Sequence, residues 1–213
     1  FRKAGIFNDF RLDKRGRKRE MKQRGMKILS LLLSLMLVLG LLPGMSLTAN
    51  ADDITGTQIT ADTTNLSAGT YYLSGDVALN SEMSITSGNV VINLNGHTLS
   101  LKSGAISWQS VIYVNGGNLT INGNGGKISG GTGGHNQRGG GFHIDSGDVT
   151  VNNVDITGNN GAWGGGVFIN SGSGTFSMNN SHIRNNTSIN DGNGWNDGGG
   201  VYLDGGTFTI NGG

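Results

Sequence analysis

Five short runs in this chain share one order of residue types, apolar, polar, apolar, Asn: Ile92-Asn-Leu-Asn95, Leu119-Thr-Ile-Asn122, Val149-Thr-Val-Asn152, Phe176-Ser-Met-Asn179 and Phe208-Thr-Ile-Asn211. Their final Asn residues lie 27, 30, 27 and 32 residues apart. Self-similarity at such a period marks a stacked-repeat architecture, because a unit of about 30 residues cannot bury a hydrophobic face without its neighbours. The run is constant and the spacing is not, so each unit has a fixed core and loops of variable length.

Two further runs flank this one. Before it stand Ile112-Tyr-Val114, Phe142-His-Ile144, Val167-Phe-Ile169 and Val201-Tyr-Leu203, three of them introduced by Gly-Gly-Gly. After it stand Thr98-Leu-Ser100, Lys127-Ile-Ser129, Asp155-Ile-Thr157 and His182-Ile-Arg184. Three short strands per unit predict an all-β, single-stranded parallel β-helix, one unit per coil, over residues 89–213. Alternation places the first and third residues of the first two strands inside and the middle one outside. Stacking then buries Ile112, Phe142, Val167 and Val201 as one column and Ile128, Ile156 and Ile183 as another. Residues 52–88 carry the aromatics of Leu66-Ser-Ala-Gly-Thr-Tyr-Tyr-Leu-Ser-Gly75 and a weaker period, and are predicted to form an N-terminal cap over the open end of the solenoid.

The repeat also assigns its conspicuous polar residues. Asn95, Asn122, Asn152, Asn179 and Asn211 fall at one turn position, where Asn tolerates left-handed backbone and its amide can bond to the coils on either side. The glycines before each first strand read as corners that need positive φ or close approach. They are not a phosphate cradle, since no strand-to-helix transition of the required spacing follows them. The 40 Gly and single Pro would suit a disordered chain, but the periodicity opposes it; with no Cys, a disulfide scaffold and thiolate metal sites are excluded.

Charge divides sharply along the chain. Residues 1–51 hold 11 of the 15 Lys and Arg, and the remainder carries four bases against 11 acids, a balance of −7. No basic patch is left for a phosphate backbone, so nucleic acid is not an expected partner. From Met21 a basic segment precedes an apolar run, Ile28 to Leu42, then Pro43-Gly44 and Ala49-Asn50-Ala51. That layout predicts a secretory signal peptide over residues 21–51, helical in its apolar part and cleaved after Ala51. The apolar run is shorter than the roughly 20 residues that span a bilayer, so membrane contact is expected only before cleavage. Residues 1–20 precede the start-like Met21 and read as an upstream extension. The sequence stops within a repeat at Asn211-Gly212-Gly213, so further coils are expected beyond it.

Gly165-Gly-Val-Phe followed by Phe176-Ser-Met-Asn179, and Gly199-Gly-Val-Tyr followed by Phe208-Thr-Ile-Asn211, resemble the repeat of polymorphic outer-membrane-protein passenger domains and related adhesin-like right-handed β-helix proteins. Val91-Ile-Asn-Leu-Asn-Gly-His-Thr-Leu99 is similar to the opening coil of many secreted bacterial β-helix proteins. The resemblance covers residues 66–213 and implies surface display, with adhesion to glycans or to host and neighbouring cell surfaces. Pectate-lyase-like members of the same fold cleave acidic polysaccharides, so a lyase or hydrolase whose catalytic coils lie beyond residue 213 is the alternative.

No catalytic or cofactor site is expected within the chain itself. Lyase chemistry needs clustered carboxylates for Ca²⁺ and a nearby base, whereas Asp145 and Asp204 share a column with Asn115 and Asn170, so that carboxylate and amide alternate. Asp155 can meet His182 or Arg184 across neighbouring coils as a surface ion pair. His97, His135, His143 and His182 fall in four different places of the repeat and form no ligand set. Binding has better candidates. Tyr113, His143, Phe168 and Tyr202 make an outward column of rings, and Trp108, Arg138 and Trp163 align four residues ahead of the first strand, with Trp195 displaced by two. Tyr113, Phe168, Tyr202, Trp108 and Trp163 are therefore the candidate glycan-contact residues. Either these rings stack on a sugar or polymer, or they stabilise their own sheet with the indoles folded back over the loops.

Overall fold

A computed structural model of the chain describes residues 55–103, 109–133, 139–170, 172–189 and 197–213. The upstream extension, the expected signal peptide, and Trp108, His135, Arg138, Asp191 and Trp195 lie outside them. Every regular element among the described residues is a β-strand, and every strand pairing is parallel. All but two of these strands form three stacks, as the repeat requires; residues 160–161 and 187–188 pair in a separate small parallel sheet. The first runs through residues 83–85, 112–114, 142–144, 167–169 and 201–203. The second runs through 69–72, 89–93, 118–122, 148–152, 175–179 and 207–211. The third runs through 77–79, 98–101, 127–129, 155–157 and 182–184.

The interior is made by the expected columns. Met83, Ile112, Phe142 and Val167 are each fully buried and lie in register, as do Leu99, Ile128 and Ile156 on the third stack, whereas Val201 and Ile183, expected to continue these columns, are only partly buried against the core. Inside the second stack Phe176 meets Phe142 edge-on, with ring centroids 5.3 Å apart, and stacks on Phe208 at 5.6 Å. In the last coil Leu203 and Ile210 are 48% and 62% exposed.

The segment expected to cap the solenoid is itself coiled. Residues 57–58 pair with 71–72, and 65–66 pair with 84–85, in the same parallel sense as the later coils. These coils are shorter. Side-chain bonds that join successive coils span 16 and 18 residues at Gln58–Ser74 and Asp62–Asn80, 22 at Asp76–Thr98, and 25 to 32 from Asn89 onward.

The asparagine ladder is present, but it begins two residues earlier than the sequence pattern suggests. Asn122 donates to Asn93 (3.0 Å), Asn152 to Asn122 (3.0 Å), Asn179 to Asn152 (2.7 Å) and Asn211 to Asn179 (2.9 Å), so the first rung is Asn93 and not Asn95. Left-handed backbone belongs to a second set, Asn95, Asn124, Asn153 and Asn180, with φ of 52°, 50°, 54° and 45°. The two roles expected of one residue are thus divided between neighbours at Asn152-Asn153 and Asn179-Asn180.

This division predicts different tolerances at adjacent positions. Asn153→Gly should be nearly neutral, whereas Asn153→Ala should cost about 1–2 kcal/mol for holding an L-residue at positive φ. Asn152→Ala should cost about 1 kcal/mol for its two ladder bonds, and Asn152→Gly should cost more, not less. Urea denaturation of the four variants measures this, and equal behaviour of the two glycine variants would refute the division. At the Gly-rich corners close approach decides: a Cβ on Gly141 would stand 2.5 Å from the Gly166 carbonyl oxygen of the next coil.

Candidate functional site

The outer side of the first stack gathers most of the aromatic residues that the sequence singles out. Parallel register sets Tyr113 beside His143, His143 beside Phe168 and Phe168 beside Tyr202. The ring centroids are 5.0, 5.3 and 5.8 Å apart. Each pair is near enough to contribute about 0.5–1.5 kcal/mol beyond its area burial.

Of the two arrangements open to the column, the one seen is largely that in which the rings pack on one another. Phe168 has no exposed surface and His143 only 8%. The Trp163 indole lies 6.0 Å from the Phe168 ring and 5.4 Å from Tyr202, so it is folded back over the column rather than held out from the loop. Tyr113, Trp163 and Tyr202 remain partly accessible. Phe168 is therefore a packing residue between those rings, and a ligand would meet only the three accessible ones.

A polar centre adjoins the Tyr113 end of the column. The Tyr113 hydroxyl donates to Asp145 Oδ2 at 2.6 Å, and Asn170 Nδ2 donates to Asp145 Oδ1 at 2.7 Å. His143 Nε2 lies 3.1 Å from the same Oδ1. Asp145 was expected to be one rung of a diluted ladder with Asn115. Instead the register slips after Val114, so that Ser146 faces Asn115 and bonds to it, leaving Asp145 to reach the ring column.

The electrostatics follow from this geometry. Burial pushes the Tyr113 hydroxyl up, and its bond to the Asp145 carboxylate pushes it further, to about 12. Burial also acts to raise Asp145, but the bonds from Tyr113 and Asn170 and the nearby His143 outweigh it and hold the carboxyl below its usual value. The centre is accordingly anionic at neutral pH. In an ultraviolet titration of the folded protein, Tyr113 should ionise well above the ordinary tyrosine value. Because its folded pKa is raised, the linked stability is intact below the ordinary tyrosine value of about 10 and is lost as pH climbs toward 12. Asp145→Asn should bring this ionisation back toward the ordinary tyrosine value; an unchanged titration would mean that the carboxylate does not set it.

On the third stack, Asp155 lies in register between Lys127 and His182, yet its partner is Arg184. The guanidinium grips it through Nε at 3.0 Å and Nη2 at 2.7 Å. The Arg184 side chain is 61% exposed, so the pair orders the face more than it stabilises the fold. Among the described residues no group of three or more His, Asp or Glu is placed to hold a metal ion.

Stacked parallel strands around one apolar interior define a parallel β-solenoid with an aromatic and acidic patch on one outer face. No protein-family model, curated protein or solved structure matches the chain.

Proposed function

We propose that the chain is a secreted or surface-displayed, non-catalytic segment of an adhesin-like protein that contacts glycans through the outer side of its first stack. The supporting observation is that one face carries three partly accessible rings, Tyr113 at one end of the column and Trp163 with Tyr202 at the other, and hydrogen-bonding groups centred on Asp145 at the Tyr113 end. Aromatic faces stack on the apolar faces of sugars while a few convergent polar groups fix hydroxyls. An ionised carboxylate at the centre disfavours uronates, so neutral glycans are the expected ligands.

In this reading the solenoid is right-handed, the hand that parallel crossover connections take. The shortened coils before residue 89 serve as its cap, and residues 21–51 direct export as a helical signal peptide that is removed near Ala51. The partner is a polysaccharide or a host or neighbouring cell surface.

The test is a panel of neutral and acidic oligosaccharides arrayed against the full chain, followed by titration of the strongest binder. Replacing Trp163 and Tyr202 together by Ala should weaken that binder roughly tenfold or more, at about 1–3 kcal/mol for lost stacking contacts. Arg184→Ala on another face should leave it unchanged. A blank array, or an affinity indifferent to the double substitution, would remove the face from consideration.

A further inference from the structure

We infer that the outer side of the second stack is an ice-binding face. This rests on the geometry of that stack and is independent of the glycan reading of the first. In each of its five-residue strands the first, third and fifth residues point outward, about 6.6 Å apart, and the strands repeat about every 4.8 Å along the solenoid. The result is a two-dimensional lattice of side chains over residues 89–93, 118–122, 148–152, 175–179 and 207–211, all in continuous parallel register. Both spacings lie close to the oxygen repeats on a prism face of ice.

The lattice is held rigid at its margins. Along one edge runs the unbroken asparagine ladder from Asn93 to Asn211. Along the other, Asn118 donates to Asn89 at 2.9 Å and Thr175 to Asp148 at 2.7 Å. Between these rails the central column reads Val91, Thr120, Thr150, Ser177 and Thr209, each half-buried. The hydroxyls of the last four make no hydrogen bond to the described residues, so their donors and acceptors are open to water at lattice positions. A rail that is already hydrogen-bonded loses little further entropy when water orders against it, which is the cost that opposes binding to a crystal surface.

Charge and chemistry select this occupant. Asp148 is the one ionisable residue in those five strands, so a charged polymer finds no complement there. The outward positions carry no aromatic ring, which removes the stacking that a single sugar chain uses. What remains is a periodic field of hydroxyls and amides with a single carboxylate at its margin and one valine in its first coil, and the surface that repeats in the same way is a crystal of water.

The experiment measures partition of the fluorescently labelled full chain into slowly grown ice, together with growth of ice grains during annealing. The chain should enter the ice and suppress grain growth. The double variant Thr120→Lys/Thr150→Lys should reduce both effects roughly tenfold, whereas Arg184→Ala should leave them unchanged. Circular dichroism must show the β-structure retained. If the lysines disturb it, Ser177→Tyr, which only raises a ring above the plane, should produce the same loss. Exclusion from ice to the extent of an unrelated soluble protein overturns the inference, and so does ice activity indifferent to folded lattice variants. Retention on crystalline cellulose or chitin without partition into ice also overturns it, and would assign the lattice to a polymer.

Discussion

Phe142→Ala should cost about 3–5 kcal/mol and also split the unfolding transition in two. The ring is fully buried, lies in register between Ile112 and Val167, and meets Phe176 edge-on. Truncation removes its transfer free energy and leaves a cavity that neighbours held by backbone ladders on both sides cannot collapse to fill. The second effect comes from architecture. A coil in a solenoid touches only the coils beside it, so stability is a sum of unit and nearest-neighbour terms. A gap in a central coil weakens the coupling between the two halves more than it weakens either half. Urea unfolding followed by far-ultraviolet circular dichroism and by tryptophan fluorescence should therefore coincide in the wild-type chain and separate in the variant. Phe142→Leu, which fills most of the volume, should cost less than half as much and keep the transitions together. A loss below about 1 kcal/mol for the alanine variant would be incompatible with this packing.

Asn159→Leu should destabilise by about 3 kcal/mol or more, although it exchanges one buried side chain for an apolar one of similar size. Asn159 has no exposed surface. Its Oδ1 accepts from the Gly131 amide at 3.0 Å, and its Nδ2 donates to the Ile128 carbonyl at 3.1 Å and to Asn186 Oδ1 at 3.0 Å. Asn186 repeats the arrangement one coil on, donating to the Ile156 carbonyl at 2.8 Å. Leucine would leave the Gly131 amide without its acceptor and take a donor from the Ile128 carbonyl on the coil below, while Asn186 Oδ1 on the coil above would keep only the Asn159 backbone amide, at about 1–3 kcal/mol for each group left buried without a partner. Hydrogen exchange separates this from a general loss of stability. The Gly131 amide should exchange faster by more than the global change accounts for, while amides of the second stack follow the global change. Uniform acceleration, or a variant as stable as the parent, would show that the network is dispensable.

The architecture was legible because solenoid coils repeat the same physical problem. The inward columns through Phe142 and Ile156 follow from alternation and spacing alone, and the third-strand pairings are those that the aligned runs require. The ladder's first rung was misplaced for a reason that alternation cannot resolve. Val91 faces outward and breaks the apolar, polar, apolar order in its true register, whereas Ile92-Asn-Leu-Asn95 satisfies it two residues later. A shift of two leaves every side chain on its original face.

The outer patch was only half legible. Periodicity shows that Phe168 points away from the core, but not that the Trp163 indole covers it, since direction is a property of the strand and cover a property of the loops. Asp145 was hidden more completely. The corners after Val114 and Ile144 have equal lengths, so nothing in the count of residues reveals the register slip that turns the carboxylate toward Tyr113 and His143.

The graded length of the coils bears on how the chain finds its fold. Closing a loop costs free energy that grows with the logarithm of its length, so a coil that spans 32 residues is dearer to close than one that spans 16 by about 0.6 kcal/mol. The narrow end thus has the lowest entropic barrier to its first turn. Each later, wider coil can add to an edge already laid down, so the taper biases nucleation toward the end of the solenoid that leaves the ribosome first.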